Sequence, residues 1–555
     1  MGAIVNVAVY APKFRIDKPP GLTRGEARNV SGSELLLVPN YTKIEPINRL
    51  KIVLVGGRTA GWLTAAFLQN QLPHTTNRNV DITVIEAEDI PTVGVGEATI
   101  PSIRQTLAAC GIEEHVFLKN CGATFKHGIE FNNWRSDPNK DGANSYFHPF
   151  GDQIMVAGKD ATWQWLQLPQ EQRAAYAEQF SVQAEIARSG QSPKGFSDKP
   201  YDGALAYAYH LDAGKLAQFL KTTCKERGVC HKVQKVLEVV RNGEEIEKLL
   251  LDNGEHIDAD LYVDCTGFAA RLINSDKENN FHSLSDILFV DRAVVTRIEN
   301  ESLADVIGYT KSTAQSSGWI WDIALQDRRG VGHVYSSRYI DDDAAKAELA
   351  AYVRQPVETL ETRRLDMRIG YHDRQWRGNC VAIGLSSGFL EPLESTGIYL
   401  IEMANWAMLE YVPRYIAGAK PQESYNRILH NHYTNIADFL KMHYCLSQRR
   451  DTPFWRDNCD PATIPESLQI KLAIWKGAVP SIYDFHSTTQ CFSATNYKFI
   501  LYGMAHDAPE NKRSEPDIRV TNMIDDLTQR RSKLRDFVMR DTVPNASYFA
   551  ALQNL

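Results

Sequence analysis

The 555-residue sequence lacks any run of 18 apolar residues, so no segment has the length and polarity of a membrane-spanning helix. The apolar stretch at residues 3–11 is not preceded by basic residues, which argues against a signal peptide. The nine cysteines show no metal-type pairing, and their odd number and wide spacing fit reduced thiols. We therefore expect a cytoplasmic protein with no bound metal and no membrane contact.

A large excess of charge of either sign is also missing. The chain has 61 basic and 68 acidic residues, a formal net charge of −7, which argues against a nucleic-acid partner. Hydrophobic residues make up 43% and charged residues 23%, as in ordinary globular proteins. Residues 1–48 carry several prolines and glycines without a sustained hydrophobic period, and they are predicted to form an N-terminal extension.

Regular patterning begins with a strand, a glycine turn and a helix. Residues 50–55 form a β-branched run typical of a buried parallel strand, and the turn at residues 56–61 follows it. A second strand, residues 81–85, ends in Glu86, whose carboxylate can accept hydrogen bonds from ribose hydroxyls. The pattern predicts a dinucleotide-binding unit in which Arg58 replaces the usual middle glycine.

Three further segments have two interpretations each. Residues 93–101 contain two glycines before a helix start, which suits either close packing on a flat ligand or a plain tight turn. Residues 122–131 alternate like a strand with one buried face, so Lys126 points to the other face, where a lone lysine is usually inert. The aromatic cluster at residues 146–151 is predicted in a loop, either as core filling or as a wall for a planar ring.

A late turn at residues 383–399 follows a short apolar strand and precedes a helix. A strand that leads through such a turn into a helix leaves N–H groups unpaired around residues 395–397, which predicts an anion site. Glu394 lies beside those donors, either as a reactive carboxylate or as a simple helix cap. Farther on, residues 428–442 are predicted helical, residues 483–502 irregular, and residues 523–552 a closing amphipathic helix.

Five motifs in order resemble the flavin-dependent tryptophan halogenase family over residues 52–455. They are Gly-Gly-x-Thr-Ala-Gly-Trp, Gly-Val-Gly-Glu-Ala-Thr-Ile-Pro, Phe-Lys followed by Phe-x-Asn-Trp, Trp-x-Trp-x-Ile, and Phe-Leu-Glu-Pro-Leu-Glu-Ser-Thr-Gly. The resemblance implies an α/β fold: a Rossmann-like FAD-binding domain of the aromatic-monooxygenase type and a mostly helical domain that covers the substrate. We place these domains at residues 49–400 and 401–555.

The resemblance also implies the chemistry. A separate flavin reductase supplies FADH2, O2 is consumed, and a bound chloride or bromide becomes hypohalous acid. The acid travels to Lys126, which holds and polarises it or forms a haloamine, while Glu394 takes the ring proton. The substrate is an aromatic small molecule or peptide, and the oligomeric state stays open, with a homodimer among the alternatives.

Further site residues follow from the positions of the motifs. The halide is expected on the backbone amides of Thr396 and Gly397, and the indole ring between His148 and Phe150, with Phe492 where the family often has Trp. The expected FAD contacts are Gly56, Gly57, Thr59, Ala60, Gly61, Glu86, Gly96, Glu97, Ala98, Gly384 and Leu393.

Two departures from the family qualify these expectations. Arg58 either weakens pyrophosphate binding or adds a cation to the phosphates. The span 483–492 lacks the Tyr- and Glu-rich lid by which family members grip free tryptophan, so we expect a substituted indole or a peptide tryptophan as the preferred substrate. Two rival hypotheses stay open: an aromatic hydroxylase on the same flavin fold, and a flavin-binding protein that has lost catalysis.

Overall fold

The computed structural model describes residues 49–76, 78–88, 96–485, 490–505 and 518–554. The predicted N-terminal extension and the first residues of the 93–101 motif lie outside these ranges. Within them, every helix is too short or too polar to cross a membrane.

The described residues form strands and helices with the following bounds. The strands are β1 (Arg49–Val55), β2 (Asn79–Glu86), β3 (Gly96–Ala98), β4 (Thr124–Lys126), β5 (Gly128–Asn132), β6 (Ser145–Pro149), β7 (Ala208–Asp212), β8 (Cys230–Val233), β9 (Val236–Asn242), β10 (Glu245–Leu251), β11 (His256–Ile257), β12 (Leu261–Asp264), β13 (Phe281–Ser283), β14 (Arg292–Glu299), β15 (Thr310–Ala314), β16 (Gly318–Ala324), β17 (Arg328–Tyr335), β18 (Arg363–Asp366), β19 (Gly370–His372), β20 (Trp376–Arg377), β21 (Cys380–Ala382) and β22 (Gly388–Phe389). The helices are α1 (Thr59–Thr76), α2 (Ile103–Ala109), α3 (Glu114–Asn120), α4 (Pro138–Asp141), α5 (Thr162–Gln167), α6 (Tyr176–Phe180), α7 (Gln183–Arg188), α8 (Ala213–Glu226), α9 (Asp342–Val353), α10 (Thr396–Ile416), α11 (Gln422–Cys445), α12 (Pro453–Asn458), α13 (Glu466–Trp475), α14 (Ala494–Gly503), α15 (Ile518–Asp541) and α16 (Asn545–Gln553).

The first large sheet has the strand order β20-β21-β12-β1-β2-β8. Four of its five strand pairings are parallel, and the edge pair β20–β21 is antiparallel. Strand β1 is buried on both faces at its carboxyl end, as parallel strands between helices are. The carboxyl ends of β1, β2 and β12 therefore meet at one edge of the sheet, where ligands bind in folds of this type.

The second large sheet has the order β18-β14-β17-β16-β15-β5-β6 and is antiparallel except for the β15–β5 pair. A small sheet, β3-β7-β4, lies beside it, because β3 contacts β16 and β17. From Thr396 onward the described residues form helices and turns without further strands. These observations confirm the α/β class, whereas the three-part domain division stays a prediction.

Two hydrophobic clusters account for most of the buried apolar side chains. One, the sheet–helix cluster, packs β1, α1 and α10 and includes Phe125 and Ile398. The other, the aromatic cluster, packs the second large sheet against α11 and α14 and includes Phe147, Leu393 and Phe439. The residues that precede Lys126 and Glu394 thus belong to different clusters.

Three local predictions were wrong. Residues 122–131 are not one strand but two, β4 and β5, which belong to different sheets, and Lys126 is as buried as its neighbours because both faces of β4 are covered. The aromatic residues at 146–149 lie in β6, which pairs with β5, and not in a loop. The closing segment is two helices, α15 and α16, and Pro544 lies at the break between them.

The span 483–502 is also more regular than predicted, because its second half forms α14. Ser493 and Asn496 make a capping box at its start, and this local interaction explains where the helix begins. Phe492 and Tyr497 face inward, as the sequence indicated.

Candidate functional site

The glycine turn lies where β1 ends and α1 begins. A side chain at Gly56, whose φ is +111°, would overlap the carbonyl of Cys265, which follows β12. A side chain at Gly57 would overlap the carboxylate of Glu86 at the end of β2. The predicted turn and the predicted acidic residue are therefore in direct contact, and Thr59, Ala60 and Gly61 form the first turn of α1.

Glu86 has two basic neighbours that were not predicted. Lys221 of α8 donates a hydrogen bond to its Oε1, and His231 Nε2 lies 2.8 Å from the same oxygen. The second carboxylate oxygen, Oε2, faces Gly57. The carboxylate is thus held in place on one side and turned toward the glycine turn on the other.

The late turn at Gly384 contacts the same helix end. Gly384 has a φ of +71°, and a side chain there would come 2.9 Å from the Ala60 side chain of α1. Ser386 donates hydrogen bonds from its hydroxyl to the carbonyls of Asp264 and Ile383. Two segments more than 300 positions apart therefore meet at one end of the parallel sheet, as expected of a binding site that contacts its ligand from two sides.

Strand β3 carries three of the predicted cofactor residues. Gly96, Glu97 and Ala98 pair with β7, and Gly96 lies against Ile323 of β16. Thr99, the next residue, exchanges hydrogen bonds with the backbone of Tyr209. Its carbonyl is consequently fixed, and it points at the amine of Lys126.

Lys126 is fully buried at the end of β4. Its Nζ donates to the carbonyl of Thr99 at 3.2 Å and to the hydroxyl of Ser395 at 2.8 Å, and it lies 4.9 Å from the centre of the Phe150 ring. Burial lowers the pKa of Lys126 to about 7, against the opposing influence of the Glu394 charge. The amine can therefore exchange a proton near neutral pH, unlike an exposed lysine.

The backbone bends sharply between β22 and α10. Glu394 and Ser395 both adopt the left-handed conformation, with φ of +62° and +61°. Such residues persist only where surrounding contacts determine them, because each costs about 1–3 kcal/mol. The bend directs the Glu394 carboxylate inward and presents the N–H groups of Thr396 and Gly397, which open the 21-residue helix α10 and have no partner within it.

Two histidines hold the Glu394 carboxylate. His148 Nδ1 lies 2.9 Å from Oε2 and 3.0 Å from Oε1, and His443 Nε2 of α11 lies 3.0 Å from Oε1. Burial by itself would raise the pKa of Glu394, but its interactions with His148 and His443 lower it to about 2. Glu394 is therefore a carboxylate at every pH at which the protein is expected to function.

The aromatic residues predicted for the substrate lie around this pair, but not all as expected. Phe150 lies beneath the Lys126 amine and His148 is hydrogen-bonded to Glu394, so the four residues meet in one site. Phe492 stacks on Phe439 of α11 with ring centres 3.8 Å apart, and Phe439 lies 5.7 Å from His148. Phe492 therefore reaches the site through Phe439.

Four contributors were missed by sequence reasoning: Phe439, His443, Ser395 and Asn496. The predicted helix 428–442 stopped one residue before His443, whereas α11 extends to Cys445. The spacing of four residues between Phe439 and His443 puts them on one helix face, a signal that the sequence does contain. Nothing local links Asn496 to His148, which its side-chain nitrogen contacts at 3.1 Å.

Comparison with known proteins places these features in a family. A family model described as tryptophan halogenase matches residues 51–515. Tryptophan 6-halogenase SttH from Streptomyces toxytricini is 32% identical over 90% of this chain and 98% of its own length, and tryptophan 7-halogenase RebH from Lentzea aerocolonigenes is 35% identical over 77% and 82%. A tryptophan halogenase structure from Shewanella frigidimarina superposes with a TM-score of 0.85 at 33% identity, covering 92% of this chain and 98% of that one.

The buried Lys126 makes stability depend on pH in a defined direction. The folded protein releases the lysine proton at a pKa of about 7, whereas the unfolded chain keeps it up to about 10.5, so stability rises with pH in that interval. We expect wild type to gain about 1 kcal/mol per pH unit relative to Lys126→Met between these values. Urea denaturation at several pH values would measure the difference.

Lys248→Met is the matched control, because Lys248 is exposed and its removal leaves the buried amine in place. It is expected to follow wild type at each pH. A difference between wild type and Lys126→Met that stays constant over this interval would contradict the lowered pKa.

Proposed function

This chain belongs to the tryptophan halogenase family of flavin-dependent enzymes, and from that premise we propose that it installs chlorine or bromine on an electron-rich aromatic ring, with an indole as the favoured class. The observation that carries the proposal is the meeting of an amine and a carboxylate in one buried site. Lys126 donates to the hydroxyl of Ser395, the residue that directly follows Glu394. A lysine and a glutamate 268 positions apart in the chain are thus linked through Ser395.

The glycine turn fits a dinucleotide cofactor. Gly56 and Gly57 leave room that a side chain would fill, and Glu86 turns one oxygen toward them, which suits a ribose hydroxyl. We assign FAD binding to this turn, to the opposing turn at Gly384 and to β3. When bound in its reduced form, supplied by a separate flavin reductase, FAD together with O2 provides the oxidising equivalent that turns a halide into hypohalous acid.

The start of α10 is the assigned halide site. The N–H groups of Thr396 and Gly397 are directed by the left-handed bend before them, and the helix dipole favours an anion there. A side chain at Gly397 would have its nearest neighbour, Phe389, at 3.9 Å, so there is open space beside these amides. The halide would therefore lie at the end of the site that faces the assigned FAD-binding residues.

Lys126 would guide the oxidant to one ring carbon. As an ammonium it donates a hydrogen bond to hypohalous acid and polarises the oxygen–halogen bond; as an amine it forms a haloamine and releases water. A pKa of about 7 allows both forms near neutral pH, so the structure favours neither route. Its three neighbours, the Thr99 carbonyl, Ser395 and the Phe150 ring, restrict where the amine can point.

Glu394 would receive the ring proton. In the ammonium route the carbon–halogen bond forms as the oxygen–halogen bond breaks, and the oxygen leaves as water after taking a proton from Lys126. The cationic ring then loses its proton to the Glu394 carboxylate, which restores aromaticity. A carboxylate with a pKa of about 2 is a weak base, but a cationic ring carbon is a strong acid, so the transfer is favourable.

The site supports a substrate without the backbone of a free amino acid. Tyr483, the one tyrosine in residues 483–492, has 90% of its surface exposed. The carboxylate of Asp484 is engaged by the indole N–H of Trp475 at 2.9 Å and by the backbone N–H of Ser481 at 2.7 Å. Neither side chain is available to hold an ammonium or carboxylate group of tryptophan, which favours a substituted indole or a tryptophan within a peptide.

Cofactor binding can be tested at the glycine turn. Gly57→Ala places a methyl group where the Glu86 carboxylate lies, so we expect FAD affinity to fall by about tenfold or more. Titration of the protein with FAD, followed by flavin fluorescence, measures this affinity. Gly477→Ala is the matched control, since a side chain at Gly477 meets nothing within 4 Å; equal affinity in both variants would contradict the assignment.

The catalytic assignment can be tested by product mass. Indole and short tryptophan peptides are incubated with the protein, FAD, a flavin reductase, NADH, and either bromide or chloride. We expect halogenated product from wild type and a loss of about 100-fold or more in Lys126→Ala and Glu394→Gln. Lys248→Ala, altered at an exposed lysine, should retain full activity.

Retained halogenation in Lys126→Ala would remove the lysine from the mechanism. A hydroxylated product whose yield does not depend on halide would instead identify an aromatic hydroxylase. Bound flavin without any product would identify a protein that has lost catalysis.

Substrate preference is a separate prediction. The two curated relatives are named for tryptophan, so free tryptophan is the second candidate substrate. We expect lower kcat/KM for free tryptophan than for a substituted indole or a tryptophan peptide in side-by-side assays, because the sequence of residues 483–492, of which residues 486–489 lie outside the described ranges, lacks the Tyr- and Glu-rich lid. Faster turnover of free tryptophan would show that other residues grip the amino acid.

A further inference from the structure

His443 is the least expected neighbour of the Glu394 carboxylate. It is completely buried on α11, and the rings of Phe131, Trp134 and Phe439 surround it with centres 4.9, 6.2 and 5.1 Å away. A histidine in such surroundings is normally neutral, because burial disfavours the charged form. Its two hydrogen bonds limit where the protons of this pair can lie.

The two ring nitrogens of His443 both face acceptors. Nδ1 lies 2.9 Å from the carbonyl oxygen of Phe439, which can only accept, so Nδ1 must carry a proton. Nε2 lies 3.0 Å from Oε1 of Glu394. If both Nε2 and the carboxylate lacked a proton, two lone pairs would face each other, so one proton must lie between these atoms.

The neighbouring histidine cannot supply that proton. Asn496 accepts hydrogen bonds from the backbone N–H and the hydroxyl of Ser493 through Oδ1, which turns its NH2 group toward His148 Nε2 at 3.1 Å. His148 Nε2 is therefore an acceptor, and His148 is a neutral imidazole that donates from Nδ1 to Glu394. The Glu394 carboxylate thus already accepts the Nδ1–H of His148, and a hydrogen bond of this kind favours its ionised form.

We propose that His443 is held as an imidazolium that keeps Glu394 ionised, which makes it a positioning residue for the carboxylate. Its catalytic consequence, though not its charge state, rests on the proposed function. The other titratable groups near Glu394 do not replace His443. The Lys126 amine donates its hydrogen bonds to the Thr99 carbonyl and the Ser395 hydroxyl. Tyr146 and Cys491 are neutral because burial raises the pKa of both. Among the described residues, His443 alone would then place a full positive charge on Glu394 through a direct hydrogen bond.

The charge state can be measured without any turnover. In the full-length protein labelled with 15N-histidine, long-range proton–nitrogen spectra distinguish an imidazolium from a neutral ring. At about pH 7.5 we expect both nitrogens of His443 to be protonated and only Nδ1 of His148 to be protonated. The His443 signals are assigned by their loss in His443→Gln, and a neutral pattern for His443 would overturn the proposal.

His432 is an internal control on the same helix. It is buried, its Nδ1 lies 3.3 Å from the Tyr399 hydroxyl, and burial lowers its pKa to about 4, so its ring should be neutral in the same spectrum. Glu394→Gln provides the reciprocal test, because it removes the charge that retains the His443 proton. In that variant the His443 ring should become neutral at the same pH; an unchanged imidazolium would overturn the pairing, even if His443→Gln failed to fold.

The effect on catalysis is a shift of the pH profile. His443→Gln keeps a donor within reach of Glu394 but removes the charge, so the pKa of Glu394 rises. As the solution is acidified, Glu394 is then protonated, and activity is lost, at a higher pH than in wild type. We expect the acidic limb of kcat to move up by about one pH unit or more, and that of His432→Gln to stay at the wild-type position. If the acidic limb of kcat does not move in His443→Gln, the role of His443 is merely structural.

The two proposals fail in distinguishable ways. If wild type yields no halogenated product while the spectra show an imidazolium at His443, the enzyme function fails and the charge assignment stands. If halogenation proceeds while His443 is neutral, the positioning role fails and the enzyme function stands.

Discussion

The left-handed bend at Glu394 and Ser395 is the constraint on which the rest of the site depends. Two consecutive non-glycine residues with positive φ are unfavourable, and here they are stabilised by hydrogen bonds of both side chains: Glu394 to two histidines, and Ser395 to Lys126. The same bend sets the direction in which α10 starts. One strained dipeptide thus determines the positions of the carboxylate, of the amine's partner and of the unpaired backbone donors.

The same burial acts on the acid and the base of this site in different ways. Lys126 has only neutral partners within hydrogen-bond distance, so desolvation prevails and its pKa falls to about 7. Glu394 is equally buried, but two histidines overcome desolvation and its pKa falls to about 2. The two groups therefore carry charge over different pH ranges. Because both side chains are equally buried, this difference comes from their hydrogen-bond partners.

Sequence reasoning succeeded where the signal was local. The strand, glycine turn and helix at residues 50–68, and Glu86 at the end of the next strand, follow from hydrophobic pattern and turn chemistry, and they meet in the structure as predicted. The family motifs located Lys126 and Glu394, which the structure brings into one site. What failed was the environment of Lys126, because its face of β4 is covered by residues distant in the chain: Ser395, 269 positions away, accepts a hydrogen bond from the amine, and the Phe150 ring lies 4.9 Å from it.

The missed residues share the same physical cause. His443 and Asn496 contact Glu394 and His148 across gaps of 49 and 348 positions, and the helical spacing of His443 from Phe439 does not indicate which partner that helix face meets. Polar side chains on helices usually face solvent, so only tertiary packing shows that these two face the site. The tautomer and charge of each histidine are even harder to predict from sequence, because they depend on the atoms within hydrogen-bond distance of each ring nitrogen.

The proposed site lies where the two hydrophobic clusters meet. Phe125, which precedes Lys126, belongs to the sheet–helix cluster, and Leu393, which precedes Glu394, belongs to the aromatic cluster. Close-packed interiors leave little space within a cluster, so under the proposed function an aromatic ring would lie at this boundary. The amine follows one cluster in the chain and the carboxylate follows the other, and a planar substrate between them would contact both.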